Sequence, residues 1–310
     1  MASDPYVLSF ESSGGQACHF MNRVVLFAHY DGHDEVKAYV VYYLEQLRKD
    51  CTRIVFVSTS KLAESELAKV RPHAETIFLK DNAGYDFGMW QHALERIDLH
   101  GVDELVLTNS SMFGPVYPLA PIFGRMEHDR SDFWAMTDNF EYRWHLQSYF
   151  LVLRRRVLTS PIFRDFFASV LPYRDKGPVI LSYEVGLTSF LVENGFSPGA
   201  FVPIESWTSW ATRRRMDLER RWNPTLFYPA KLLSLGMPFV KMMLLRDNVG
   251  NVDLAPVYRR MAEAGYDLDL IAFDRAPQRH RKDLRARVRR LWHRLAVDSE
   301  GTSALGRDLT

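Results

Sequence analysis

The chain has 310 residues, 47% of them hydrophobic and 25% charged, with a formal net charge of +1. That length can bury a sizeable core, and the near-neutral balance gives no general case for nucleic-acid binding. Cys18 and Cys51 are the only cysteines, which excludes a disulfide framework and a cysteine-based zinc site and fits a reducing, cytoplasmic compartment. The first twenty residues lack the basic and apolar regions of a signal peptide. No stretch approaches the roughly 18 to 20 consecutive apolar residues of a membrane span, so any membrane association is expected to be peripheral.

Residues 1–22 read as a loose leader. The apolar run Val24–Ala28 predicts a buried strand that ends in His29-Tyr-Asp-Gly32. An amphipathic helix is expected over 35–49, with Val36, Tyr39, Val40, Tyr43, Leu44 and Leu47 on one face. A second strand over 53–58 completes a β-α-β unit and so predicts a parallel sheet. A short helix over 63–70 and a strand over 75–79 lead into Lys80-Asp-Asn-Ala-Gly-Tyr-Asp-Phe-Gly-Met-Trp90. There Gly84 and Gly88 suit a turn and a close backbone approach at a helix start. Asp86 is expected beside the loop of the next strand, or as the cap of its own helix.

That next strand, Leu105–Thr108, delivers Asn109, Ser110 and Ser111 before a Gly-Pro break. In open α/β sheets ligands bind at this carboxyl edge, although such residues also make plain turns. A helix is expected over 118–126, a strand over 132–138 and a single strand over 145–153. Helices follow over 162–170 and 179–195, with Glu184 near the start of the latter, where the helix dipole favours a carboxylate. Aromatic and basic residues alternate from 206 to 250, a texture suited to an anionic or sugar-bearing ligand or to a solvated helix face. Residues 253–271 suggest one more helix-strand element, in which Asp267-Leu-Asp269 imitates a metal-binding pair.

The segment 278–295 is a basic amphipathic helix, with Leu284, Val288, Leu291, Trp292 and Leu295 on one face and eight arginines and lysines around the rest. Such a helix suits an anionic membrane surface, each basic residue contributing about 1 kcal/mol near the headgroups. RNA binding and partner docking are the rival readings. Residues 299–310 are expected to be a disordered tail.

Several motifs, in this order, resemble the rhamnan synthesis protein F family: Ala28-His-Tyr-Asp31, Asn82-Ala-Gly-Tyr-Asp-Phe-Gly88, Leu107-Thr-Asn-Ser-Ser-Met-Phe-Gly-Pro115, Asp132-Phe-Trp134, His145-Leu-Gln-Ser-Tyr-Phe150, Tyr183-Glu-Val-Gly186, and Asn223-Pro-Thr225 with Pro238-Phe-Val-Lys241. Members are bacterial glycosyltransferases of lipopolysaccharide and cell-wall polysaccharide assembly. The resemblance covers about residues 23–250. It implies an α/β, GT-A-like nucleotide-diphospho-sugar transferase domain over 23–250 with a mostly parallel sheet; beyond it, the residues themselves suggest an extension over 251–277 and a basic helix over 278–298.

The resemblance also implies roles. A GT-A fold usually holds a divalent metal on Asp-x-Asp, but the matching place here is Asn109-Ser-Ser111. Mg or Mn dependence is therefore in doubt, because neutral side chains are poor ligands for hard cations. No residue is assigned to metal. His29, Tyr30, Asp31, Asn82, Gly84, Asp86, Asn109, Ser110 and Ser111 would hold a dTDP- or UDP-sugar, with Lys241 and Arg246 neutralising the leaving diphosphate. Glu184 would be the general base of an inverting transfer and His145 the alternative base. Trp134 and Gln147 would line the side of a lipid-linked glycan acceptor. The lack of carboxylates at 109–111 equally suits a catalytically silent nucleotide- or glycan-binding subunit of a polysaccharide-assembly complex.

Overall fold

The structure is a computed structural model, and it describes residues 21–271 apart from positions 174 and 220 and the side chain of Lys176. The expected leader up to residue 20, the 278–298 helix and the tail lie outside the described residues. Among the described residues ten strands occur in this order: β1 (Arg23–His29), β2 (Arg53–Ser58), β3 (Thr76–Leu79), β4 (Glu104–Asn109), β5 (Met112–Phe113), β6 (Phe133–Asn139), β7 (His145–Leu146), β8 (Phe150–Arg154), β9 (Pro198–Val202) and β10 (Val240–Lys241). Eight of them form one sheet in the order β3-β2-β1-β4-β8-β6-β7, with β9 also paired to β6.

β1 and β4 lie at the centre and are buried along their whole length, as expected of apolar strands covered on both faces. Alternation sends Leu26, Leu105 and Leu107 into a core with Phe87 and Trp90 of helix Tyr85–Leu94, Phe166 and Phe167 of helix Pro161–Ala168, and Leu187 and Leu191 of helix Val185–Glu193. On the other face, Phe27 meets Tyr43 of helix Ala38–Arg48 edge-on at 5.3 Å. The sequence expectation of an α/β fold with a mostly parallel central sheet flanked by helices is met.

Strand direction fixes which strand ends share an edge. β1 runs parallel to β2 and β4, and β2 runs parallel to β3. β8 is antiparallel to both β4 and β6, so β4 and β6 point the same way, and β9 runs with β6. The carboxyl ends of β1, β2, β4, β6 and β9 and the amino end of β8 therefore share one edge.

Three expectations are corrected. The strand expected over 145–153 is two, because the chain turns at Gln147-Ser148-Tyr149 between β7, antiparallel to β6, and β8. The helix carrying Glu184 begins at Lys176 and passes through a π-helical turn, Ile180–Glu184, before Val185–Glu193, so Glu184 is two turns in and away from the helix start. Pro178 is tolerated because the first turn of a helix has no partner for its missing N–H. Finally, 253–271 holds helix Ala255–Glu263 and a 3-10 turn, Leu268–Leu270, but no strand. Asp267 accepts the N–H of Asp269 at 2.9 Å, so this pair caps a turn.

Candidate active site

The loop after β4 is a closed Asx turn. Asn109 Oδ1 accepts the N–H of Ser111 at 3.0 Å and its hydroxyl at 2.6 Å, while Nδ2 donates to Asp86 Oδ2 at 2.8 Å. Asp86 stands in the first turn of helix Tyr85–Leu94, behind Gly84 at φ 81° and Tyr85 at φ 51°. The close approach is real: a Cβ on Gly88 would lie 2.5 Å from the Ala83 carbonyl oxygen. Lys80 Nζ donates to that same carbonyl at 2.8 Å and tightens the turn. Asp86 thus sits beside Asn109 as expected, although β3 and β4 are not neighbours: helix Tyr85–Leu94 crosses back over β1 to bring it there, and Asn82 is exposed on the rim of this turn.

β1 supplies the adjoining wall. His29 is buried, with Nδ1 2.9 Å from Ser58 Oγ, and burial lowers its pKa from 6.5 to about 4 against the raising influence of Asp31. The imidazole is therefore neutral at physiological pH. Tyr30 is exposed, and its backbone N–H reaches Ser110 Oγ at 3.3 Å. Asp31 Oδ1 accepts the N–H of His33 at 2.8 Å, and its own N–H donates to Ser60 Oγ at 2.8 Å. Tyr39 OH donates to the Ser110 carbonyl at 2.8 Å, so the backbone of the 109–111 loop is held from the sheet face as well.

β10 brings Lys241 to the same loop. It pairs antiparallel with β5, placing Lys241 opposite Met112, and Met242 N–H donates to Ser111 O at 2.9 Å. Gly114 at φ 134° permits this docking, since a Cβ there would lie 2.4 Å from the Pro238 carbonyl oxygen. Arg246 is different. It lies in the last turn of helix Met242–Asp247, where its guanidinium binds Asp247 at 2.8 Å and is exposed.

A buried polar chain runs along the edge from β4 to β6. Tyr43 OH meets Thr108 Oγ1 at 2.7 Å, and Thr108 donates to the Tyr149 carbonyl at 2.7 Å. Tyr149 OH lies 3.3 Å from Thr137, which donates to Gln147 Oε1 at 2.8 Å. Gln147 Nε2 donates to Asn223 Oδ1 at 3.3 Å, and Asn223 Nδ2 donates to Glu141 at 3.3 Å. Gln147 is thus a buried brace rather than an exposed acceptor contact. Trp134 requires a larger correction: it is fully buried between Phe123 and Phe150, at ring distances of 5.9 and 6.2 Å, and no acceptor reaches it.

His145 is buried, and its Nδ1 lies 2.8 Å from the Arg143 carbonyl, which assigns the proton to that nitrogen. Glu184 is half-buried in its π-helical turn and accepts the N–H of Ser148 at 3.4 Å. Thr188 on the next turn accepts the N–H of Leu146 at 3.0 Å, so this helix docks against the segment that bends between β7 and β8. π-Helical turns recur at functional sites because one extra residue re-aims the side chains that follow. Burial, then the charges of Glu141 and Glu184, raise the pKa of the Tyr142 phenol, which stands half-exposed at φ 73°.

The sequence assigned no role to Asp138, Glu141, Tyr149 or Asn223, although Tyr149 and Asn223 stand in the motifs that carry the resemblance. Asp138 is the penultimate residue of β6, near the carboxyl edge of the sheet, where Oδ1 accepts the N–H of Ile204 at 2.7 Å and Oδ2 that of Trp144 Nε1 at 2.9 Å. Burial nevertheless raises its pKa. A carboxylate at the carboxyl end of a strand parallel to β4 was the available signal. As a metal site the loop fits poorly: it offers the single carboxylate of Asp86, and the Asn109 amide oxygen already takes two bonds from Ser111. Among the described residues no group of three or more His, Cys, Asp or Glu is arranged to hold a metal ion.

Comparison with known proteins adds the family. The model of rhamnan synthesis protein F matches residues 54–285. Virulence protein VirA of Vibrio anguillarum is 28% identical over 220 residues, covering 63% of this chain and 69% of VirA. Uncharacterized protein y4gN of Sinorhizobium fredii is 29% identical over 160 residues, covering 49% and 42% respectively. Among solved structures, mannosyltransferase PcManGT of Pyrobaculum calidifontis, in complex with GDP-Man and Mn2+, has a TM-score of 0.39 at 11% identity and covers 80% of this chain and 70% of its own. Core-mannan synthase A of Aspergillus fumigatus has a TM-score of 0.36 at 9% identity, covering 60% and 78%. Both superpositions are partial, and the assignment rests on the family match. The chain belongs to the rhamnan synthesis protein F family, a family of glycosyltransferases.

Proposed function

We propose that the chain transfers a sugar, rhamnose or a related one, from a dTDP- or UDP-linked donor to a lipid-linked polysaccharide acceptor, with inversion, in a GT-A-like site. The acceptor hydroxyl oxygen attacks the anomeric carbon as the bond from that carbon to the diphosphate oxygen breaks. Glu184 takes the hydroxyl proton, and the nucleoside diphosphate leaves. Asp86 and the wall formed by His29, Tyr30 and Asp31 bind the nucleotide. The observation that carries this reading is the turn locked by Asp86, Asn109 and Ser111, with Lys241 in the adjoining ladder and Glu184 farther along the same edge. Lys241 then stabilises the leaving diphosphate without a protein-held metal, a reading supported by the carboxylate-poor loop.

The reading extends to a protein peripheral at the inner face of the cell membrane, with 278–295 on the anionic surface. No helix among the described residues is long and apolar enough to cross a membrane. Glu184→Gln tests the mechanism: transfer is lost, while a nucleoside diphosphate still raises the melting temperature. Turnover by that variant would remove Glu184 from the role of base. The carboxylate-poor loop also favours a second reading, a catalytically silent binding subunit of a polysaccharide-assembly complex. Hydrolysis of a nucleotide-sugar by the purified chain decides against it.

A further inference from the structure

Helix Trp210–Glu219 touches the body of the protein through Met216, its only fully buried residue. The opposite side carries Trp210, Arg214 and Leu218, spaced i, i+4 and i+8 and so confined to an arc of about 80°. Trp210 is 72% and Leu218 75% exposed. Single exposed apolar residues are ordinary, but two large ones stacked on one face of a short helix form a stripe. Arg214 lies between them, with its guanidinium 5.8 Å from the Trp210 ring and no acidic partner among the described residues.

The flank of this stripe is basic and concave. Ala211, Thr212, Arg215, Arg221 and Tyr228 line a cleft of about 350 Å³. Arg215 and Arg221 share one carboxylate, that of Glu219, at 2.7 and 3.1 Å, which leaves the cleft net positive. An apolar stripe of Trp and Leu with Arg214 within it and Arg215 and Arg221 on one flank matches the boundary of an anionic bilayer, and the exposed Asp217 lies on the other flank. The rings and methyl groups enter the acyl region, and the guanidinium groups reach the phosphates.

The stripe also leads straight to the active edge. Immediately after Arg221, Trp222 packs on Phe140 at 5.6 Å, and Asn223 donates to Glu141, so the helix and the loop that follows β6 are mechanically joined. We infer that helix Trp210–Glu219 is a membrane-docking element that binds the phosphates of anionic phospholipids and holds the acceptor side of the active site against the bilayer. This rests on the membrane-peripheral reading above and adds to it a contact on the catalytic domain itself.

The test uses the full chain with vesicles of phosphatidylcholine, with and without about one third phosphatidylglycerol. Brominated acyl chains are expected to quench tryptophan fluorescence in the wild type and to quench it less in Trp210→Phe. The double variant Trp210→Ala, Leu218→Ala, exposed and helix-compatible, is expected to lose about tenfold in partitioning onto the anionic vesicles. If the chain binds the vesicles but neither change has an effect, the docking element is overturned and the peripheral reading survives. If the chain does not bind anionic vesicles, both fall. Displacement from the vesicles by millimolar inorganic phosphate at constant ionic strength would identify a soluble-phosphate site and overturn the lipid assignment.

Discussion

Asn109 Nδ2 donates to Asp86 Oδ2 at 2.8 Å, which joins the end of a central strand to the first turn of the helix beside it. The pairing explains how a loop without carboxylates keeps a negative group at the active edge: the acid arrives from the neighbouring element. It also makes position 109 a direct probe of metal use. In Asn109→Asp the donor becomes a second carboxylate facing the first, costing about 2 kcal/mol through the lost bond and like-charge repulsion. The melting temperature is expected to fall, then to recover when Mn or Mg bridges the two acids, while the wild type gains nothing from either metal. An equal metal-induced rise in the wild type would refute metal-independent stabilisation of the diphosphate.

His29 makes stability depend on pH. Burial holds its pKa at about 4 in the folded protein, against 6.5 as the ordinary value. Between those values the unfolded chain binds a proton that the folded chain refuses, so stability falls as pH falls. The contribution is fully present above pH 6.5, declines through the window, and changes no further below about 4. At 1.36 kcal/mol per pH unit it amounts to about 3 kcal/mol. Urea unfolding of wild type and His29→Asn at pH 7.5 and pH 5 reads this term as the difference between the two slopes. Parallel slopes would show that the imidazole is not desolvated.

The turn that carries Asp86 depends on glycine at Gly84, which has a positive φ, and most tightly at Gly88. A Cβ at Gly88 would meet the Ala83 carbonyl oxygen at 2.5 Å, whereas one at Gly124, within helix Ala120–Glu127, meets nothing within 4 Å. Gly88→Ala is expected to cost more than about 2 kcal/mol and to abolish transfer by displacing Asp86. Gly124→Ala is expected to stabilise by about 0.5–1 kcal/mol with activity unchanged, because alanine is the better helix former. Chemical denaturation and an initial-rate assay on the two variants give the comparison. Near-equal stabilities would mean that the turn relaxes around the added methyl group.

The contrast between Asp86 and Trp134 shows what the sequence carries. β1, β2 and β4 are legible because continuous apolar runs flanked by polar turns define buried parallel strands, while the expected meeting of Asp86 with Asn109 comes about by another route: β2 and β1 separate β3 from β4, and helix Tyr85–Leu94 crosses back over β1 to bring the carboxylate there. Trp134 and Gln147 are not legible in that way. A sheet covered on both faces offers no alternation to tell a core ring from a site ring, and Gln147-Ser148, which form the bend, read as the polar start of a single strand that continues through Phe150–Leu153. The displacement of Glu184 from its expected helix start has a similar origin: Pro178 reads as a break, although it is allowed in a first helical turn.

Lys241 and Arg246 were equivalent candidates in sequence, and their surroundings separate them. The backbone of Lys241 is fixed by the β5–β10 ladder opposite Met112, next to Ser111, whereas Arg246 is exposed and forked onto Asp247. A cation contributes to departure of the diphosphate only if it is held where the charge develops, since reorganising a mobile group costs most of what it would gain. Lys241→Met is therefore expected to lower kcat about a hundredfold, with little change in stability. Arg246→Met is expected to stay within a few-fold of wild type, because an exposed ion pair contributes little. Initial rates at saturating donor separate the two. A larger loss for Arg246→Met than for Lys241→Met would move the diphosphate from the β4 loop toward helix Met242–Asp247.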